Sequence, residues 1–155
     1  MAGTIAARLA ELGIDLPKLP APAGAYVPYT ISGKMLFISG QIPMRDGTLS
    51  HTGKVGSDLS VEDGYACARV CALNILAQAA AACGGDLDKV ARCLKLGGFV
   101  NCGPDFNDHP KVINGASELM LQVFGDNGKH ARFAVGAPSL PLGSAVEVEA
   151  IFELL

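Results

Sequence analysis

The chain has 155 residues, a formal net charge of −3 and five cysteines, and charged residues make up only 17% of it. That length suits one domain spanning residues 1–155, large enough to bury a core without disulfide or metal staples. There is no lysine/arginine cluster to neutralise phosphates, so nucleic acid is an unlikely partner class, and no uninterrupted apolar run suggests a membrane span.

Residues 1–20 read as an N-terminal extension, with a short amphipathic helix over residues 4–12, Thr4 as its cap and Gly13 as its stop. The proline-rich stretch from Asp15 to Gly24 cannot continue a helix. The N-terminus lacks a basic start, a long apolar segment and a small-residue cleavage site, which points to a cytoplasmic protein.

A β-hairpin is expected next, with Tyr26–Ile31 and Met35–Ser39 joined by Ser32-Gly33-Lys34. Gly40 then marks a bulge or a close approach of backbone to another group. Arg45 to Asp58 is polar and glycine-bearing, and reads as a loop. Ser60 and Asp63 resemble a capping box that opens a long helix ending near Cys83, ahead of Gly84-Gly85. Its stripe of Val61, Tyr65, Ala68, Ala72, Ile75, Ala79 and Cys83 reads as core.

Val90–Val100 reads as a strand, with Leu94, Leu96 and Val100 on one face and Lys95 and Phe99 on the other. A second helix begins at Asp108 or His109, with Pro110 in its first turn and Gly125 at its end. Its apolar side includes Val112, Ile113, Ala116, Leu119, Met120, Val123 and Phe124. Two alternating strands close the chain. In the first, Ala131, Phe133 and Val135 alternate with Arg132 and Ala134; in the second, Val146, Val148, Ala150, Phe152 and Leu154 alternate with Glu147, Glu149, Ile151 and Glu153.

The order after the first helix is ββαβαββ, an α+β arrangement with both long helices on one face of a sheet. If the apolar faces of the last two strands share a core, Arg132 and Glu147 lie together on the uncovered face. Such a face is either solvated, with ordinary surface charges, or meets another subunit, and the low charge content favours a subunit contact.

Other constellations are weak. The odd cysteine count and the absence of a CxxC pair give neither a disulfide framework nor a zinc site, and Cys67 and Cys71 read as small buried hydrophobes. No GxSxG elbow supports a triad of Ser39, His109 and Asp108. The histidines have no metal-ligand spacing, and the glycine pairs form no phosphate loop.

Taken jointly, several stretches resemble the RidA/YjgF/L-PSP family. These are Arg132-Phe133-Ala134-Val135, Leu140-Pro141 and Val146-Glu147-Val148-Glu149-Ala150, with Tyr26 after Gly24, Phe37-Ile38-Ser39-Gly40-Gln41-Ile42-Pro43, and Asn114. The resemblance covers residue 24 to the C-terminus. It implies a bacillary chorismate-mutase-like fold, a mixed sheet with two main helices on one face, assembled as a homotrimer with ligand sites in the clefts between subunits. It also implies hydrolysis of reactive enamines and imines, such as 2-aminoacrylate, to 2-keto acids and ammonia, with no metal or organic cofactor.

On this resemblance, Arg132 clamps the substrate carboxylate and Glu147 activates water, the two forming the catalytic set. Tyr26, Gly40, Phe99, Asn114 and Ala134 form the substrate-binding set. Ala134 stands where many family members have cysteine, and His130 and Pro138 also depart from the family pattern. Two other activities compete with deamination: non-catalytic binding of a small carboxylate or a partner enzyme by the same trimer, and an endoribonuclease, a label some relatives carry.

Overall fold

A computed structural model describes residues 3–20 and 24–155. The chain runs α1 (Thr4–Glu11), β1 (Tyr29–Ser32), β2 (Met35–Gln41), β3 (Met44–Arg45), β4 (Thr48–Leu49), α2 (Val61–Ala82), β5 (Val90–Asn101), α3 (His109–Phe124), β6 (Ala131–Ala137) and β7 (Val146–Leu154). Five strands form one mixed sheet in the order β1-β2-β7-β5-β6. All the pairings are antiparallel except β5 with β6. A parallel pair needs a crossover connection, and α3 supplies it.

The sheet buries one face. Leu36 and Ile38 of β2, Val148, Ala150 and Phe152 of β7, and Leu96 and Val100 of β5 are buried together with Ile75 and Leu76 of α2 and Ile113 and Met120 of α3. Cys67, Cys71 and Cys93 lie in the same core with no exposed surface. Helices α2 and α3 approach closely because glycine sits at their contact: a Cβ on Gly115 would collide with the Tyr65 carbonyl oxygen. The Ser60/Asp63 capping box forms in both directions. The Asn74 side-chain amide donates to the carbonyls of Ile42 (3.0 Å) and Met44 (3.1 Å), tying the end of β2 to α2.

Several local expectations change. Thr4 begins α1 but does not cap it; the Asp88 carboxylate accepts from the backbone N–H groups of Thr4 (2.7 Å) and Ile5 (2.8 Å) instead. Tyr26 lies in the bend before β1 rather than in the strand, and the proline-rich stretch falls partly outside the described residues. The segment after Pro43 is a small hairpin, β3–β4, turning through Asp46 and Gly47, both at positive φ. In β5 the register shifts between Cys93 and Lys95, so Cys93, not Leu94, takes the core position opposite Phe152. By length and composition α2 could cross a membrane, yet its residues from Gly64 to Ala79 supply much of this core.

Candidate functional site

The site begins on β6, at the sheet edge. Arg132 pairs with Leu96, which pairs in turn with Ala150, and both of these neighbours are buried under the helices. Paired residues share a face, so Arg132, Ala134 and Gly136 lie on the helix-covered side. There α3 meets the guanidinium: Arg132 Nη1 donates to Asn114 Oδ1 at 2.8 Å and to Ser117 Oγ at 3.2 Å. Asn114 and Ser117 are three residues apart, which puts both on one side of the helix.

The partners of His130 fix the direction of this chain of hydrogen bonds. Its Nδ1 lies 2.6 Å from the Gly128 carbonyl oxygen and its Nε2 lies 2.8 Å from Ser117 Oγ. A carbonyl only accepts, so Nδ1 carries the proton and Nε2 accepts from the Ser117 hydroxyl. That leaves the lone pairs of Ser117 Oγ for Arg132. Burial, and then the positive charge of Arg132, hold the His130 pKa below its ordinary value, partly offset by the bond to Gly128. Both described Arg132 bonds use Nη1, so the guanidinium edge carrying Nη2 and Nε is available for bidentate capture of a carboxylate.

Glu147 belongs to the other face. It pairs with Phe99, which pairs with Val135, while Glu149 pairs with Gly97 and through it with Phe133. This row faces away from the helices. The half-buried Glu147 carboxylate lies across Gly40, where a Cβ would collide with Oε1. Gly40 falls within the irregular register of β2 between Ile38 and Gln41. The glycine therefore makes room for a side chain of this protein, a specific form of the close approach expected there. Burial, and then repulsion from Glu149, raise the Glu147 pKa above the ordinary carboxylate value. Phe99 stacks edge-to-face on Phe133 with ring centroids 5.3 Å apart, and the Lys95 ammonium lies 5.3 Å from the Phe133 ring centre.

The seven residues singled out in the sequence thus fall into two clusters and one outlier. Arg132, Asn114 and Ala134 gather at the β6–α3 edge, and Glu147, Gly40 and Phe99 gather on the open face. Tyr26, 66% exposed, stands apart in the bend before β1. The expectation that Arg132 and Glu147 share a face is therefore wrong. It assumed that the apolar set of β6 points into the core. On this edge strand Phe133 and Val135 point to the open face instead, and the smaller set is the one α3 covers. Sequence reasoning also missed Ser117 and treated His130 only as a departure; the i,i+3 spacing of Asn114 and Ser117 is the signal that pairs them.

A cysteine–histidine–aspartate line also occurs. His51 Nδ1 lies 3.4 Å from Cys67 Sγ, and His51 Nε2 lies 3.9 Å from Asp63 Oδ1. Cys67 has no exposed surface, and burial pushes its thiol pKa up, so nothing can reach it as a nucleophile.

Comparison with known proteins agrees with the fold. Residues 6–154 match the family described as "YjgF/chorismate_mutase-like, putative endoribonuclease". The chain is 51% identical over 153 residues to protein TCP17 of Trypanosoma cruzi, covering 98% of this chain and 95% of that one. It resembles the crystal structure of Atu1372 from Agrobacterium tumefaciens, a protein of unknown function, at 50% identity and a TM-score of 0.90, covering 97% and 92% of the two chains. It also resembles a structure from Shewanella oneidensis called a "putative endoribonuclease", at 39% identity and a TM-score of 0.93, covering 98% and 100%. With the family model spanning nearly the whole chain and half of all residues shared with two relatives, this protein belongs to the YjgF/chorismate mutase-like family.

Proposed function

We propose that the chain assembles as a homotrimer whose inter-subunit clefts hydrolyse reactive enamines and imines of the 2-aminoacrylate type to 2-keto acids and ammonia. The observation that carries this reading is the Arg132 guanidinium, held on one side by Asn114 and Ser117 at a sheet edge, with no hydrogen bond to its other edge among the described residues. A fixed planar cation of this kind suits a small carboxylate better than lysine would. Glu147 supports it as the base, because a raised pKa brings a carboxylate nearer to the pH at which it takes up a proton.

In the proposed reaction Arg132 holds the carboxylate of the imine tautomer. Glu147 takes a proton from water as the oxygen adds to the imine carbon and passes that proton to the nitrogen, giving the carbinolamine. Glu147 then takes the hydroxyl proton and delivers it to the amine, so that the C–N bond breaks, ammonia leaves and the C=O of the 2-keto acid forms. Arg132 and Glu147 lie on opposite faces of one sheet, so the cleft pairs Arg132 of one copy with Glu147 of the next. Phe99 and Ala134 line the two walls, and Tyr26 closes the cleft from its exposed bend.

The test is hydrolysis of freshly generated 2-aminoacrylate and bulkier 2-imino acids by the native protein, Arg132→Ala and Glu147→Gln. Activity lost in both variants, with the oligomer intact, supports the reading. Absence of acceleration for every imine sinks it and leaves carboxylate binding without catalysis, which would need Arg132 and be indifferent to Glu147.

A further inference from the structure

At the opposite end of β6 from Arg132, a cavity of about 480 Å³ opens between the end of β5, the loop before α3 and Gly136–Pro138. Cys102 and His109 both line it, with Sγ and Nε2 3.4 Å apart. Cys102 is only 6% exposed, so its thiol is shielded from bulk water and meets the outside through this cavity. All five cysteines belong to the buried core, and Cys102 is the one among them that lines this cavity.

Three features arrange the pair. Phe106 stands edge-on to the His109 ring, with centroids 5.2 Å apart and planes at 85°, which limits its rotation. Gly136 supplies the space: a Cβ there would come within 2.7 Å of Nε2 and 2.8 Å of Sγ. Across the cavity, the Lys54 ammonium donates to Asn101 Oδ1 at 3.0 Å and to the Pro138 carbonyl, and among the described residues its third proton has no partner. A thiol with a base in reach, an apolar wall and a nearby cation has the geometry of a nucleophile–base pair.

We propose that Cys102 and His109 form a nucleophilic thiol site for small α,β-unsaturated carbonyl compounds that carry a carboxylate. Gly136 and Arg132 are four residues apart on one strand, roughly 13 Å, so this site is separate from the carboxylate clamp. His109 Nε2 takes the Sγ proton as the thiolate electron pair forms a C–S bond to the β-carbon. The double-bond electrons move onto the α-carbon, which then receives the proton from His109. The sum is addition of S–H across C=C to give a thioether, with no oxidant or reductant. Phe106 offers the surface for the carbon skeleton and Lys54 faces the carboxylate.

The test exposes the full-length native protein to monoethyl fumarate or to the neutral diethyl fumarate, followed by intact mass and peptide mapping. The expected result is one adduct, on the Cys102 peptide, while Cys67, Cys71, Cys83 and Cys93 stay unmodified. His109→Gln should slow the addition at least tenfold with the melting temperature unchanged, and Lys54→Met should erase the advantage of the charged ester. Gly136→Ala, whose methyl presses on both Sγ and Nε2, is a second blocking variant should His109→Gln fold poorly. Cys102→Ser should keep any imine hydrolysis, because it leaves Arg132 and Glu147 untouched. Labelling spread over several cysteines, no adduct while a free thiol reacts to completion, or equal rates in the native protein and in whichever blocking variant folds would each overturn the proposal.

Discussion

Arg132 is held by a chain of donors that ends at the backbone: Arg132 gives to Ser117, Ser117 to His130 and His130 to the Gly128 carbonyl. The arrangement works only while His130 Nε2 is unprotonated, which gives it a pH signature. A histidine whose folded pKa lies below its unfolded value binds protons more readily when unfolded, so stability falls as pH falls through that interval. The stability contributed by neutral His130 is fully present above the unfolded value of 6.5 and is lost between there and the lower folded value. Urea unfolding followed from pH 8 to pH 5 should therefore show a loss of stability beginning near 6.5 that His130→Gln lacks. Glutamine can still accept from Ser117, so its stability at pH 8 should stay close to native. A loss of the same steepness in both proteins would assign the effect to other groups. The candidate residue types were legible in the sequence because arginine, asparagine and glutamate stood in a recognisable order. Their faces were not. Alternation on β6 shows that the strand has two sides, but which side is covered depends on where α3 lands.

At the scale of elements, sequence patterns succeed where one local interaction decides. The α2 capping box is fixed by Ser60 and Asp63 three residues apart, and the α3 start by Pro110. They fail where tertiary contact decides, as in the shifted register that exchanges Leu94 for Cys93. The α2–α3 contact is another tertiary case. At Gly115, helix propensity alone favours alanine by about 1 kcal/mol. A Cβ there would meet the Tyr65 carbonyl oxygen, a backbone atom that cannot turn aside, and overpacking of this kind costs about 1–3 kcal/mol or more. The clash should win, so Gly115→Ala is expected to lower the unfolding free energy by roughly 2 kcal/mol. Gly103→Ala, with nothing within 4 Å of the added methyl, serves as the control and should be near neutral. Chemical denaturation of both variants checks the pair, and a stabilised Gly115→Ala would mean that the helices move apart at little cost.

For the whole molecule, the open sheet face is the unpaired surface. Phe37 is 40% exposed and Val135 42%, and Phe99, Phe133 and Ile151 lie in the same layer. Exposed apolar side chains of this kind, interleaved with Lys95, Glu147 and Glu149 on a chain with few charges, argue for cover by another copy. In the proposed trimer, closed symmetry makes each site a product of two chains, with Arg132 from one and Glu147 from its neighbour. This arrangement separates a shared site from a site within one protomer. Arg132→Ala and Glu147→Gln, each inactive alone, should regain activity when unfolded together in equal amounts and refolded. A site is intact only when its Arg132 side comes from the Glu147→Gln chain and its Glu147 side comes from the Arg132→Ala chain. Random assembly gives about one such site in four, and activity should return to that fraction of native. Native mass should correspond to three chains of 15.9 kDa throughout. If both residues served one site within a single protomer, every site would keep one defect and mixing would restore nothing. Recovery to about a quarter requires a site divided between chains, because no exchange of intact protomers can place a native Arg132 and a native Glu147 on the same polypeptide.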